Sequence, residues 1–299
     1  MRLIRFRNSS GVRVGVIDSV LTDALMVNDI TNSIPRSVSS DPELLLTEVE
    51  LLKKFVRSGD SPVRVSQEDL LPPVRNPGKF LCAAMNYHAH VAEIGVGEFK
   101  KSNIVPKLFM KPVSSLLKPF GQLVLPNISN EVDWEIELAV IIGRGGKRIS
   151  VERALDHVGG YTVINDISAR STHWGLESRE PSHWDSFFDW LMGKWSDGFA
   201  PLGPWLVTAD EISDAQNLGL RLSVNGTVRQ NASTSAMIFS VAELISFASS
   251  FMTLEPGDLI ATGTPSGVGS ATGTYLRSGD LMVGEIDEIG QIITKVVDQ

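Results

Sequence analysis

The sequence predicts an α+β fold in which a small N-terminal domain precedes a body of largely antiparallel or mixed sheet, and three observations carry that reading. From Phe80 onward short β-type runs dominate and few of them are separated by helical segments, which argues against a doubly wound parallel sheet. The segment "LRLSVNGTVRQ" holds Asn225-Gly226, the strongest short signal for an antiparallel hairpin. A Pro-rich stretch, "LPPVRNPGK", stands before that body as a linker would.

Taken in order, residues 1–72 open with two strand-like runs, "RLIRF" and "VRVGVID", around the turn "NSSG", and continue into a Leu-rich segment of helical pattern, "DPELLLTEVELLKKFVRSG". Residues 73–299 form the body. Its strands are expected at "KFLCAAMNY", "QLVLP", "DWEIELAVIIG", "GYTVINDI", "GPWLVT" and "GDLIATGTP". Its helices are expected at "SVERALDHVGG", with Ser150 as N-cap, and at "SVAELISFASSFMTL".

With 42% apolar and 21% charged residues over 299 positions, the chain has the composition of an ordinary globular protein. Its net charge is −8 and the acids are scattered, so nucleic acid and anionic membrane are poor partners and a small molecule is the expected one. The N-terminus "MRLIRFRNSS" lacks the apolar centre of a signal peptide, and no run reaches the roughly 18 apolar residues of a membrane span. A cytoplasmic location is therefore expected. Cys82 is the single cysteine, which excludes an internal disulfide and a Cys-based zinc cluster; its apolar neighbours read as a buried strand, not a reactive thiol.

Glu131 to Gly143, "EVDWEIELAVIIG", alternates as a strand should, and Asp133, Glu135 and Glu137 share one side. A solvated strand face is the ordinary explanation of such acids. Here the opposite side is wholly apolar, and the acid side itself continues as Ala139 and Ile141, which points to burial on both faces. Residues two apart on a strand lie ~7 Å from each other, so Glu135 and Glu137 can converge on one cation, the simplest remedy for buried like charges. Asp166, at the end of the apolar run "GYTVIND", offers a third oxygen, although an Asp there is equally a turn former. Three carboxylates without a Cys or His cluster favour Mg²⁺ or Mn²⁺, with Ca²⁺ as a further hard ion. Asp133, at the strand's start, is left outside the ligand set as a solvated or cation-paired acid.

His90 and Glu93 in "NYHAHVAEIG" stand three apart, on one face if the stretch is helical, where the carboxylate can orient the imidazole as a general base, an ordinary surface pair being the alternative. The following "GVGEFKKSN" has the composition of a segment that closes over a site. "GVGSATG" resembles a nucleotide-binding glycine loop but lacks the spacing and placement of one. Four of the six tryptophans fall in "HWGLESREPSHWDSFFDWLMGKW", read as packing or a subunit interface, with a substrate-facing role for part of it left open.

Several motifs agree in order and spacing with one family: "NYHAHVAE", "FMKPVSS", "VDWEIELAVIIG", "NDISAR", "GKWSDGFAPLGPWLVT", "VNGTVRQ", "TSAMIF" and "DLIATGTPSGVG". Through them the chain resembles the fumarylacetoacetate hydrolase superfamily, in its acylpyruvase and oxaloacetate decarboxylase-like branch, over about residues 75 to 295. The resemblance implies a mixed β-sandwich roll, a homodimer, and a divalent ion on Glu135, Glu137 and Asp166. It implies water activation by the dyad His90 and Glu93 on a lid, and binding of substrate oxygens by Lys194 and Thr264. It also puts Lys111 and Arg170 near the substrate.

The implied reaction is hydrolysis of a carbon–carbon bond in a β-diketo acid, such as an acylpyruvate or a fumarylacetoacetate-like compound, through a metal-stabilised enolate. Decarboxylation or keto–enol tautomerisation of an oxaloacetate-type acid is the alternative on the same residues. A metal-binding interaction protein without catalysis is a third class, but such a module has no need of a base. After Arg170 the chain departs from the common pattern "NDxxARDxQ": Ser171 and His173 stand at the Asp and Gln positions. His173 thus becomes a candidate substrate contact, with packing as its competing role, and the long aromatic segment after it hints at a bulkier substrate.

Overall fold

The structure is a computed structural model that describes residues 1–34, 62–95, 100–176 and 179–299. The Leu-rich segment and residues 96–99 of "GVGEFKKSN" lie outside the described residues. Strands β1 (Arg2–Asn8), β2 (Gly11–Val20) and β3 (Ala24–Asp29) form an antiparallel meander, extended by β4 (Val63–Ser66), while β5 (Leu70–Leu71) pairs with β1. β6 (Phe80–Ala84) leads into helix α1 (His88–Glu93), and β7 (Lys107–Met110), β8 (Leu116–Leu117) and β9 (Gln122–Val124) follow. Next come β10 (Val132–Asp133), β11 (Ile136–Ile142), α2 (Val151–Ala154), β12 (Val158–Asn165), β13 (Ser168–Ala169) and α3 (His183–Met192). β14 (Ala200–Thr208), β15 (Gly219–Val224), β16 (Thr227–Ser233), α4 (Val241–Phe251), β17 (Leu259–Ala261), β18 (Leu281–Ile286) and β19 (Gly290–Val297) complete the order.

The main sheet runs β4-β3-β2-β1-β14-β12-β11-β17-β6-β7, and a second sheet runs β16-β15-β18-β19-β9. Most pairs are antiparallel, but β17–β6, β14–β8 and β19–β9 are parallel, so the architecture is mixed, as expected. β1 pairs with β14 (Leu3 opposite Leu206), which joins the N-terminal meander to the sheet of the body. Asn225 and Gly226 both have positive φ, +51° and +77°, which matches the predicted hairpin between β15 and β16. α4 forms within the predicted segment, and Ser240 and Glu243 close its start with a reciprocal capping box. The helix after Ser150 is only Val151–Ala154, continued as a 3₁₀ turn, and the Ser150 side chain makes no capping bond there.

β11 is buried along its whole length. Ile136, Leu138, Val140 and Ile142 belong to one apolar cluster, together with β15, β18, β19 and α4 residues. Ala139 and Ile141 face another, shared with Phe80, Cys82, Leu259 and Ala261 of β6 and β17. Glu137 therefore lies on the side that points into a core, so water cannot solvate it as it would an acid on an open sheet face. Cys82 is fully buried and burial pushes its thiol well up, in keeping with a packing role.

Candidate active site

Strand pairing assembles the acids. In the β11–β12 register Ile136 stands opposite Asn165 and Glu137 opposite Ile164, so the end of β12 delivers Asp166 next to Glu135, and the Asp166 N–H donates to the Glu135 carbonyl (2.8 Å). The alternating stretch is not one strand, however. It breaks between β10 and β11, where side-chain amides replace the ladder: the Glu135 N–H donates to Asn165 Oδ1 (2.8 Å) and the Ile136 N–H to Gln230 Oε1 (2.9 Å). The break detaches Asp133, which pairs instead with Ser168 of β13. Carboxylate oxygens of Glu135, Glu137 and Asp166 lie within 4.8 Å of one another, all three residues being buried.

Four buried carboxylates and three cationic side chains meet here among the described residues. Asp133 is saturated: Oδ1 accepts from the N–H groups of Trp134 (2.8 Å) and Gly269 (2.6 Å), and Oδ2 from the Ser270 N–H (3.0 Å) and Arg170 Nε (2.8 Å). It is the cation-paired acid of the two alternatives, with no oxygen to spare for an ion. Arg170 also donates to Glu135 Oε1 (2.5 Å). Lys194 Nζ bridges Glu135 Oε2 and Asp166 Oδ2, each at 2.8 Å. Lys111 Nζ donates to Asp166 Oδ1 (2.6 Å), the Ile167 carbonyl (3.1 Å) and the Phe199 carbonyl (2.9 Å).

Counting protons separates the two lysines. An ammonium has three N–H bonds; Lys111 spends all of them on protein atoms, whereas Lys194, which lines the cavity, spends two on carboxylates. Lys111 therefore holds Asp166 in place and is not among the residues that line the cavity. Replacing it by Met should weaken divalent-ion binding by about 10- to 100-fold, the usual effect of removing a ligand's supporting partner. Titration calorimetry would measure this, and unchanged affinity would remove Lys111 from any positioning role.

Glu137 has the least compensation. Its Oε2 accepts one bond, from the Gly263 N–H (2.7 Å). Gly263 has φ of +93°, and a Cβ there would meet Asn86 Cβ at 2.7 Å, so only glycine brings that N–H to the carboxylate. Burial, then Asp166 and Glu135, push the Glu137 carboxyl well above the usual range. Burial would raise Glu135 too, but Lys194 and Arg170 outweigh it and hold that carboxyl well below the usual range. An all-oxygen, buried cluster with one uncompensated carboxylate suits a hard divalent ion.

α1 supplies a second pair of residues, of which His90 lines the same cavity. His90 is buried, and its Nδ1 lies 2.7 Å from Glu93 Oε1, the i, i+3 pair the spacing predicted. Glu93 Oε2 accepts the Gly267 N–H (2.8 Å). Gly267 has φ of +103° and its Cβ would lie 2.0 Å from the Arg229 carbonyl oxygen, a second position open to glycine alone. The "GVGSATG" loop thus cradles carboxylates of this chain, Glu93 and Asp133, through its amides.

A cavity of about 620 Å³ is lined by His90, Glu135, Arg170, Lys194 and Thr264 together with an apolar wall. The Thr264 hydroxyl donates to the Ile136 carbonyl (3.0 Å) and accepts from Gln230 (2.8 Å). His173 is not among the residues around this cavity; it lines an adjoining one with Arg170, Trp174 and Arg179. Sequence reasoning missed Asn165 and Gln230, whose amides shape the break before β11, and Tyr87. The Tyr87 hydroxyl is buried without a hydrogen-bond partner among the described residues, and burial and the Glu137 charge push it up. Only its place in "NYHAHVAE" could have marked it.

The family described as "Fumarylacetoacetate (FAA) hydrolase C-terminal" matches residues 79–297. The chain is 40% identical over 301 residues to the mitochondrial oxaloacetate tautomerase fahd2 of Xenopus laevis, covering 99% of this chain and 90% of that protein. It is 36% identical over 297 residues to 2,4-didehydro-3-deoxy-L-rhamnonate hydrolase of Sphingomonas sp. (strain SKA58), covering 97% and 94%. Among solved structures, maleylpyruvate hydrolase from Sphingobium sp. SYK-6 in complex with manganese(II) ion and pyruvate is similar with a TM-score of 0.76 and 32% identity, covering 100% of this chain and 99% of that one.

Proposed function

The chain belongs to the fumarylacetoacetate hydrolase family, and from that premise we propose that it is a divalent-metal-dependent hydrolase cleaving a carbon–carbon bond in a β-diketo acid. The observation that carries this reading is that Glu135 of the buried acid cluster and His90 of the His90–Glu93 pair line one cavity. Glu135, Glu137 and Asp166 would hold Mg²⁺ or Mn²⁺, which when bound supplies positive charge to stabilise a developing enolate.

The chain's own groups account for the rest. An ionised Glu93 can only accept, so His90 Nδ1 carries the proton and Nε2 is left to take one from water. That water attacks the distal carbonyl carbon; the bond from it to the carbon between the two carbonyls breaks, and its electron pair passes into the enolate. Protonation of the enolate releases a 2-oxo acid beside the distal carboxylic acid. The remaining N–H of Lys194 is available to an oxygen on which charge develops.

A second reading, tautomerisation or decarboxylation of an oxaloacetate-type acid, is favoured by the 40% identity to an oxaloacetate tautomerase. His90 would then relay a proton to or from carbon without water attack. A panel of acylpyruvates, sugar-derived diketo acids and oxaloacetate, each with Mg²⁺ and Mn²⁺, separates the two. Hydrolysis yields pyruvate and a second acid in equal amounts from an acylpyruvate. Accelerated decay of enol absorbance or release of carbon dioxide from oxaloacetate, with every acylpyruvate left intact, would transfer the assignment to the second reading.

The active particle is proposed to be a homodimer, for which light scattering should give twice the chain mass. Among the described residues no helix is long and apolar enough to cross a membrane. The cytoplasm is proposed as the compartment, against the mitochondrion named for the Xenopus laevis relative, and cell fractionation decides between them.

A further inference from the structure

α3 is an unusual helix for a folded body. None of its ten residues is buried, yet it carries Trp184, Phe187, Phe188 and Trp190. Trp184 is 69% and Phe188 50% exposed, so core packing is not what holds it. Its start is capped and its end is anchored instead. The first turn is closed by a capping box of Ser182 and Asp185, and the last turn runs into Gly193, where a Cβ would meet the Ala169 carbonyl oxygen at 2.2 Å. A helix capped at its start, tied at its end to Ala169 and largely uncovered on its aromatic side holds those rings in place for something else.

Part of that side faces the active-site cavity. Trp190 and Phe187 line it beside Phe109 of β7. The Phe109 and Trp190 rings meet edge to face at 5.1 Å, and Phe187 lies 6.0 Å from Trp190. Lys194 Nζ, which bridges Glu135 and Asp166, is 5.3 Å from the Phe109 ring centre and 6.0 Å from that of Trp190. The aromatic wall therefore starts where the acid cluster ends. Leu108, Met85 and Ile94 extend it.

On the hydrolase reading given above, we propose that the substrate carries an apolar acyl group of aryl size, and that Phe109, Phe187 and Trp190 are the residues that select it. A diketo acid engaged at the acid cluster by its 2-oxo acid end projects its distal substituent along this wall. A cavity of about 620 Å³ is far larger than a four-carbon acid needs. A distal carboxylate would be poorly served. Half-buried Arg170 and buried Lys194 are paired with Asp133, Glu135 and Asp166, and the one remaining N–H of Lys194 is at the acid-cluster end of the cavity. Of the other cationic or titratable groups that line the cavity among the described residues, His90 is engaged by Glu93, and Lys107 and His183 are exposed, where charge pairing contributes little.

The test compares kcat/KM of the metal-loaded full chain on benzoylpyruvate, acetylpyruvate and succinylpyruvate. Wild type should prefer benzoylpyruvate over acetylpyruvate by at least about tenfold, as burial of one ring allows. Trp190→Ala should bring that ratio close to one, mainly through KM, and Phe187→Leu, at a partly exposed position that tolerates change, should lower it by a smaller factor. A parallel loss on both substrates with the ratio retained would mean that the wall is only structural and would overturn the proposal. So would a preference for succinylpyruvate.

Binding of phenylpyruvate and pyruvate, measured by calorimetry with the ion present, separates this proposal from the reading it rests on. If no acylpyruvate is cleaved but phenylpyruvate still binds at least about tenfold more tightly than pyruvate, and Trp190→Ala removes the difference, the hydrolase reading fails and the aromatic selectivity stands. Equal affinities in wild type overturn the selectivity whatever the reaction is.

Discussion

Glu137→Gln should abolish divalent-ion binding and lower kcat/KM by ~10³-fold or more, each factor of ten being about 1.4 kcal/mol of barrier. The argument is electrostatic. Asp133, Glu135, Glu137 and Asp166 face Arg170, Lys111 and Lys194, which leaves one net negative charge, and Glu137 is the acid that no cation touches. Two added positive charges convert that deficit into one net positive charge, the sign that attracts an anionic substrate. Glutamine keeps the volume and can still accept the Gly263 N–H, so the fold should survive while the charge that draws the ion is gone.

Thermal unfolding checks both parts of this prediction. Wild type should gain stability on adding Mn²⁺ or Mg²⁺, by about 2.7 kcal/mol at a hundred times Kd, and the variant should gain none. In metal-free protein the sign reverses. Because the folded-state carboxyl of Glu137 is raised, the unfolded chain loses its proton first as pH climbs, and stability falls through the window between the ordinary carboxylate value and the raised one. Glu137→Gln should flatten that fall, leaving a metal-free protein at least as stable as wild type near neutral pH. An ion-dependent shift retained in full by the variant would remove Glu137 from the ligand set.

How much of this could be read without coordinates depends on the range over which each signal acts. Period-two alternation is local, and with the apolar continuation at Ala139 and Ile141 it is enough to mark Glu135 and Glu137 as buried, which they are. The helical spacing of His90 and Glu93 is local too. Asp166 needs the register of β11 against β12, which no local pattern contains: its place at the end of an apolar run offers it as a third oxygen but equally as a turn former, and the motif resemblance favours the first. Asp133 shows the opposite difficulty: alternation put it on the acid side, but amides 32 residues and more away, Asn165 and Gln230, break the strand after it. The different roles of Lys111 and Lys194 rest on where three protons go, and "FMKP" and "GKWSDG" are silent on that. The aromatic segment was visible, but not that Phe187 and Trp190 turn toward the cavity while Trp184 and Phe188 stay exposed.

The other large effect is expected at His90. His90→Ala should leave the acid cluster and its ion-dependent stabilisation intact, because the imidazole bonds to Glu93 and to none of the three acids. Turnover should fall by about 10²- to 10⁴-fold, the range a positioned general base supplies, with KM little changed because the lost interaction acts on the proton in flight. Glu93→Gln should be milder. A glutamine oxygen can accept both the His90 N–H and the Gly267 N–H, so the ring stays oriented and only the negative charge that favours the imidazolium is lost. The pair of variants therefore divides orientation from charge. If the reaction is hydrolysis, both lose cleavage of acylpyruvates in that order of severity; if it is tautomerisation, both lose proton exchange at carbon in the same order. Normal turnover by His90→Ala with the ion still bound would reduce the dyad to a contact that anchors α1 to the Gly267 loop, and the proton would have to be carried by another group on the cavity.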